Sequence, residues 1–110
     1  MKIKNLYDLS DVNDFKEEII EVLKNTHNIE NLQIERILSQ GHTTPINKWY
    51  EQDTEELVFL LKGDATIEFE NNELVYLKEG DYLLIPKYKK HKVVKTSIEP
   101  ACIWLAIHYK

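Results

Sequence analysis

The stretch from Glu56 to Val94, "ELVFLLKGDATIEFENNELVYLKEGDYLLIPKYKKHKVV", decides the fold. It breaks into apolar runs of strand length, with a turn signal closing nearly every run. Gly63-Asp64 and Asn71-Asn72 suit tight hairpins, because Gly and Asn tolerate the positive φ that two-residue turns demand. "KEGD" at 78–81 is a further turn, and Pro86 ends a run where its missing N–H costs no ladder bond. The pattern predicts strands at 56–62, 65–70, 73–77, 81–85 and 91–96. With period-two alternation Glu56 shares a face with Val58 and Leu60, and His91 shares one with Val93, so both polar residues point inward.

Working outward, the same punctuation predicts strands at 32–39, 47–51 and 101–109. The last, within "ACIWLAIHYK", places Cys102, Trp104, Ala106 and His108 on one face and Ile103, Leu105, Ile107 and Tyr109 on the other. A strand apolar on both faces is central and covered on both sides. Short strands in this number imply an all-β sandwich or barrel. Only residues 10–25 read differently. Val12, Phe15, Ile19, Val22 and Leu23 fall at spacings of three and four, and Asp14 with Glu17 has the form of a capping box. The expectation is one N-terminal helix packed outside the sheet, in a helical extension over 1–31 that precedes the β domain at 32–110.

Composition bounds the function. At 110 residues the chain is one domain, 43% hydrophobic and 30% charged, with a formal charge of -5 that attracts neither nucleic acid nor an anionic membrane. Cys102 is the only cysteine, so no internal disulfide can form. No segment has the apolar length of a signal peptide or a membrane span, and the expected location is cytoplasmic. There is no Ser/His/Asp order, phosphate-cradling glycine loop or paired-cysteine zinc signature. The common hydrolase, nucleotide-binding and zinc-ribbon readings are therefore removed.

Two segments, "ELVFLLKGDATIEF" from Glu56 and "LKEGDYLLIPKYKKHKVV" from Leu77, resemble the two motifs of the cupin superfamily. Glu56 and Gly63 keep the spacing that closes the first motif. Gly80, Pro86 and His91 keep the spacing of the second. The resemblance implies a double-stranded β-helix, or jelly-roll barrel, with Glu56 and His91 converging at its mouth. It also implies a homodimer, which the apolar final strand supports. The two histidines that open the first motif are missing. Their places fall at Trp49 and Glu51 in one register, or at Tyr50 and Gln52 in the other.

Two readings of the site follow. In the first, Glu51, Glu56 and His91, with Asp53 or Gln52 in reserve, hold a divalent Mn, Fe or Zn ion weakly, and isomerase-like or dioxygenase-like chemistry is open. In the second, no metal binds and Glu56 and His91 anchor a small metabolite or simply bond each other. Trp49, Tyr50, Gln52, Tyr88 and His108 are candidate pocket residues. His27 and His42 lie in loops without ligand-spaced neighbours. The lysines of "KYKKHKVVK" read as a charged, solvated strand edge.

Overall fold

The computed structural model describes residues 1–25 and 32–110. Its described elements in chain order are β1 (Ile19–Asn25), β2 (Gln33–Ser39), β3 (Glu55–Lys62), β4 (Ala65–Phe69), a short 3-10 turn (Glu70–Asn72), β5 (Glu73–Leu77), β6 (Tyr82–Ile85), β7 (His91–Thr96) and β8 (Cys102–Tyr109). Two antiparallel sheets face each other, one ordered β1-β2-β8-β3-β6 and the other β5-β4-β7. The core fills the space between them. Val58, Leu60, Ile85, Trp104 and Ala106 come from the larger sheet, and Ala65, Ile67, Phe69 and Leu77 from the smaller. These are the inward positions of the predicted alternation, each worth about 1.5–3 kcal/mol for a large side chain fully buried.

The turns behave as their residues require. Asn71 and Asn72 sit at φ 67 and 61, and Gly63 at φ 91. A Cβ at Gly63 would lie 2.7 Å from Ser97 Oγ and 2.9 Å from Cys102 Sγ, so both backbone and space demand glycine there.

The predicted helix is absent: among the described residues no α-helix forms. Asp14 does not cap; its Oδ1 accepts the Lys16 N–H two residues on, as Asp8 does for Ser10 and Asn5 for Tyr7. Three such side-chain turns carry residues 5–16 as an irregular strap. Residues 19–25 then pair with β2, Ile20 opposite Ile37 and Glu21 opposite Arg36. The β-branched run Ile19-Ile20-Glu21-Val22 fits a pleated edge, and a free sheet edge outweighs a helical stripe of five residues. The strap does cover the outside of the larger sheet. Arg36, 5% exposed, donates from Nη1 to Leu6 O and Asp8 O and from Nη2 to Glu21, while Tyr7 Oη donates to Leu61 O. On that same outer face Leu38 and Ile103 are sealed from solvent although they stand outside the core cluster.

The strand expected at 47–51 is also absent. Pro45 and a positive φ of 71 at Asn47 break the extended geometry, leaving one bridge in which Tyr50 and His91 exchange backbone hydrogen bonds of 2.8 and 3.0 Å. The segment nevertheless follows β7, tied by Thr44 N–H to Val93 O and by Tyr88 N–H to Gln52 O. It thereby roofs one end of the sandwich. Among the described residues no helix is long and apolar enough to cross a membrane.

Candidate functional site

A cavity of about 600 Å³ opens under that roof, between the inner faces of the two sheets. Glu56 enters it from the start of β3 and His91 from the start of β7, as inward alternation requires. His91 Nε2 stands 3.6 Å from Glu56 Oε1, with the side chains 8% and 10% exposed. Gln52 Nε2 donates to the same Glu56 oxygen at 2.7 Å. His91 Nδ1 lies 3.1 Å from Lys89 O. A carbonyl only accepts, so Nδ1 carries a proton, and in the neutral tautomer this leaves the Nε2 lone pair facing Glu56 and the cavity. Burial pushes the Glu56 carboxyl above the ordinary carboxylate range, against the pull of His108, His91 and the Gln52 amide.

A second acid–imidazole pair lies on the neighbouring strands. His108 on β8 is opposite Glu56 on β3 and opposite Gln33 on β2. Its Nε2 meets Glu35 Oε1 at 2.9 Å, and Gln33 Nε2 donates to the other Glu35 oxygen at 2.6 Å. The hydrogen bond to His108 holds Glu35 below the usual carboxylate range, and the same bond raises His108. Both shifts favour the ionic form of the pair, with Glu35 negative and His108 positive. The site thus holds a buried carboxyl facing the Nε2 of an imidazole, two groups of the kind that pass a proton, beside a second, hydrogen-bonded acid–imidazole pair.

The candidate residues divide. Tyr50, Glu51, Gln52, Asp53, Glu56, His91 and His108 line the cavity; Trp49 and Tyr88 do not. Trp49 lies outside with Lys92 Nζ 4.4 Å above its ring, and Tyr88 turns out at φ 66, 61% exposed. Both are corrected from pocket walls to surface residues. The side chains that meet the Glu56–His91 pair are Gln52, through its hydrogen bond, and Tyr50, whose ring centroid is 6.0 Å from that of His91. That is the Tyr50/Gln52 register. His42 is a tether, accepting from Gln40 N–H at Nδ1 and facing Lys16 O with Nε2. His27 lies outside the described residues.

Glu35 and Gln33 were not among the sequence candidates. Their signal is visible in "QIERILS": Gln33 and Glu35, with Ser39, share the face of Ile37. Glu18, which lines the cavity and accepts from Ser39 Oγ at 2.8 Å, was hidden by the helix reading.

The donor set does not fit the metal centre that the resemblance implies. Among the described residues no three His, Cys, Asp or Glu side chains are grouped to hold an ion. A phenol and an amide, Tyr50 and Gln52, stand where imidazoles would be needed, and Glu51 is exposed at the rim.

This is an antiparallel β-sandwich with a cavity at one end, the architecture of a small jelly roll. The family model for the cupin domain matches residues 36–108, and the chain belongs to the cupin family. A structure from Ralstonia eutropha JMP134, titled a "putative mannose-6-phosphate isomerase", is 32% identical over 100% of this chain and 99% of its own, with a TM-score of 0.88. A cupin superfamily protein from Desulfitobacterium hafniense DCB-2 shares 19% identity over 88% of this chain and 81% of its own, at TM-score 0.72. An RmlC-like cupin from Methanocaldococcus jannaschii with a double-stranded β-helix fold shares 20% over 99% and 93%, at 0.69. The last two speak to fold alone. No curated protein matches the sequence.

Proposed function

We propose that this cupin binds a small metabolite in the cavity under residues 50–54 and does so without a tightly held metal. The observation that carries the reading is the convergence of two acid–imidazole pairs, Glu56–His91 and Glu35–His108, on one cavity of about 600 Å³, a volume typical of small-molecule sites. Buried polar groups cost free energy unless they are partnered, and the 3.6 Å gap between Glu56 Oε1 and His91 Nε2 leaves a place for a ligand group to bond both. Binding in a cytoplasmic homodimer, self-associated through the apolar outer face of β3 and β6, completes the proposal.

Isomerase activity is the second reading. It is favoured by the 32% identity to the Ralstonia protein and by the Glu56–His91 geometry, since aldose–ketose interconversion needs a group that moves a proton between adjacent carbons.

Elemental analysis of protein purified without chelator or histidine tag tests the metal term, beside the His91→Ala variant. The expected result is substoichiometric metal in both. Near-stoichiometric metal that disappears in His91→Ala would overturn it. Ligand screening by thermal shift, with Trp104 fluorescence as reporter, tests binding itself: a hit should be weakened about tenfold or more by His91→Ala, which removes a buried polar anchor.

A further inference from the structure

We infer that the cavity selects a small organic cation bearing N–H donors, an ammonium or guanidinium compound, over a phosphate ester; the inference rests on the reading that the cavity binds a metabolite.

The charged side chains on the otherwise largely apolar lining are mostly acidic. Glu18, Glu35, Glu51, Asp53 and Glu56 face the hollow, while Lys110 is the one lysine or arginine among its described lining residues. That cation is already engaged, its Nζ 3.3 Å from Asp53. His108 is likewise spent on Glu35 at 2.9 Å. No described lysine or arginine pairs with Glu18, Glu51 or Glu56, and residues 26–31, "THNIEN", contain neither residue type. A phosphate would enter without the forked or point-charge donors that phosphate recognition uses, against an excess of like charge.

A buried side chain supplies the second, independent observation. The His91 ring is 8% exposed, its Nδ1–H is used on Lys89 O, and its Nε2 is aimed into the cavity, 3.6 Å from Glu56 Oε1 and so beyond hydrogen-bond distance; in the neutral tautomer that this leaves, Nε2 is an acceptor. An imidazole lone pair beside a carboxyl asks for a donor, and a ligand N–H placed between them satisfies both. Glu51 at the rim adds charge, and Tyr50 lines the cavity with its ring centroid 6.0 Å from that of His91. The recognised chemistry is thus a positive group that donates hydrogen bonds, which excludes quaternary ammonium as the best occupant.

Calorimetric titration of the full chain at low salt decides this with four probes: agmatine, choline, mannose and mannose 6-phosphate. Agmatine should bind, choline at least about tenfold more weakly, and mannose 6-phosphate not at all. His91→Ala should weaken agmatine about tenfold. The exposed rim variant Glu51→Gln, which leaves the core intact, should weaken it several-fold. Glu99→Gln, outside the cavity, should change nothing. Binding of mannose or mannose 6-phosphate without agmatine would overturn the cation inference and leave the metabolite-binding reading standing. Silence toward all four would overturn the inference, and silence that extends across a broad metabolite screen would overturn both. Agmatine binding that ignores His91→Ala and Glu51→Gln is surface adsorption and also overturns it.

Discussion

Gly63 shows how much a single position can determine. Its φ of 91 lies in the left-handed region, and an added Cβ would meet Ser97 Oγ at 2.7 Å and Cys102 Cα at 3.1 Å, the latter unable to move without the β8 backbone. Gly63→Ala should therefore cost about 2–4 kcal/mol, read as a lower denaturant midpoint with unchanged slope. The Glu35–His108 pair makes a prediction of a different kind. Glu35 is held below its ordinary value of 4.5, first by its hydrogen bond to His108, so it contributes stability present above pH 4.5 and lost as pH falls through the depressed value. His108 is held above its ordinary 6.5, first by its bond to Glu35, so it contributes stability present below pH 6.5 and lost as pH rises through the elevated value. Both contributions are full between pH 4.5 and 6.5. Glu56 acts in the opposite sense to Glu35, because burial raises its carboxyl and stability is lost as pH rises above 4.5. The difference between wild type and Glu35→Gln isolates the pair. It should be largest in that window, about 2 kcal/mol, and shrink on both sides; a flat difference across pH would show that the pair is not ionic.

At the scale of elements, the N-terminal strap depends on Arg36 more than on its own sequence. Residues 5–16 bury few large side chains, and they meet the sheet through the carbonyls of Leu6 and Asp8 on the Arg36 guanidinium, the Asp11 carboxylate 3.9 Å from it and the Tyr7 hydroxyl on Leu61 O, while the Lys16 carbonyl faces His42 in the loop after β2. Arg36→Ala removes the first two and leaves Glu21 without its charged partner. The expected result is faster amide exchange and protease cleavage confined to residues 1–18, with about 3 kcal/mol lost from the whole fold. The sequence is misleading here for a definite reason. Apolar spacings of three and four in 10–25 satisfy a helix, but an edge strand of a sheet must also satisfy β2, whose free N–H and C=O groups lie elsewhere in the chain. The segment 47–51 fails in the other direction: it has strand composition, but Asn47 turns the chain, so it contacts β7 through one bridge and serves as a roof instead.

For the whole molecule, the outer face of β3 and β6 stays bare where the strap does not reach. Leu57 pairs across to Leu84 and Phe59 to Tyr82, with Leu84 49% and Tyr82 65% exposed. Phe59 and Tyr82 rings are 5.2 Å apart, forming one aromatic patch. A homodimer built on this face should give twice the monomer mass in light scattering, and Tyr82→Lys with Leu84→Glu should return the monomer without lowering its secondary-structure content, since both side chains point outward. A wild-type monomer would remove the dimer from the proposal.

Seven of the strands, the inward faces of β3, β7 and β8, and the hairpin glycine and asparagines were legible in the sequence, because alternation and turn chemistry are local and act wherever they occur; alternation pointed Glu56 and His91 inward, while their convergence followed only from the resemblance to the cupin motifs. Tertiary structure alone decided three things. It placed Glu35 against His108, 73 residues apart, through the β2–β8 register. It put Gln52 and Tyr50 rather than Glu51 and Trp49 against the pair, because an irregular roof carries no period to count. And it turned 19–25 into a strand, because an open edge is a property of the assembled sheet, which no window of the chain contains.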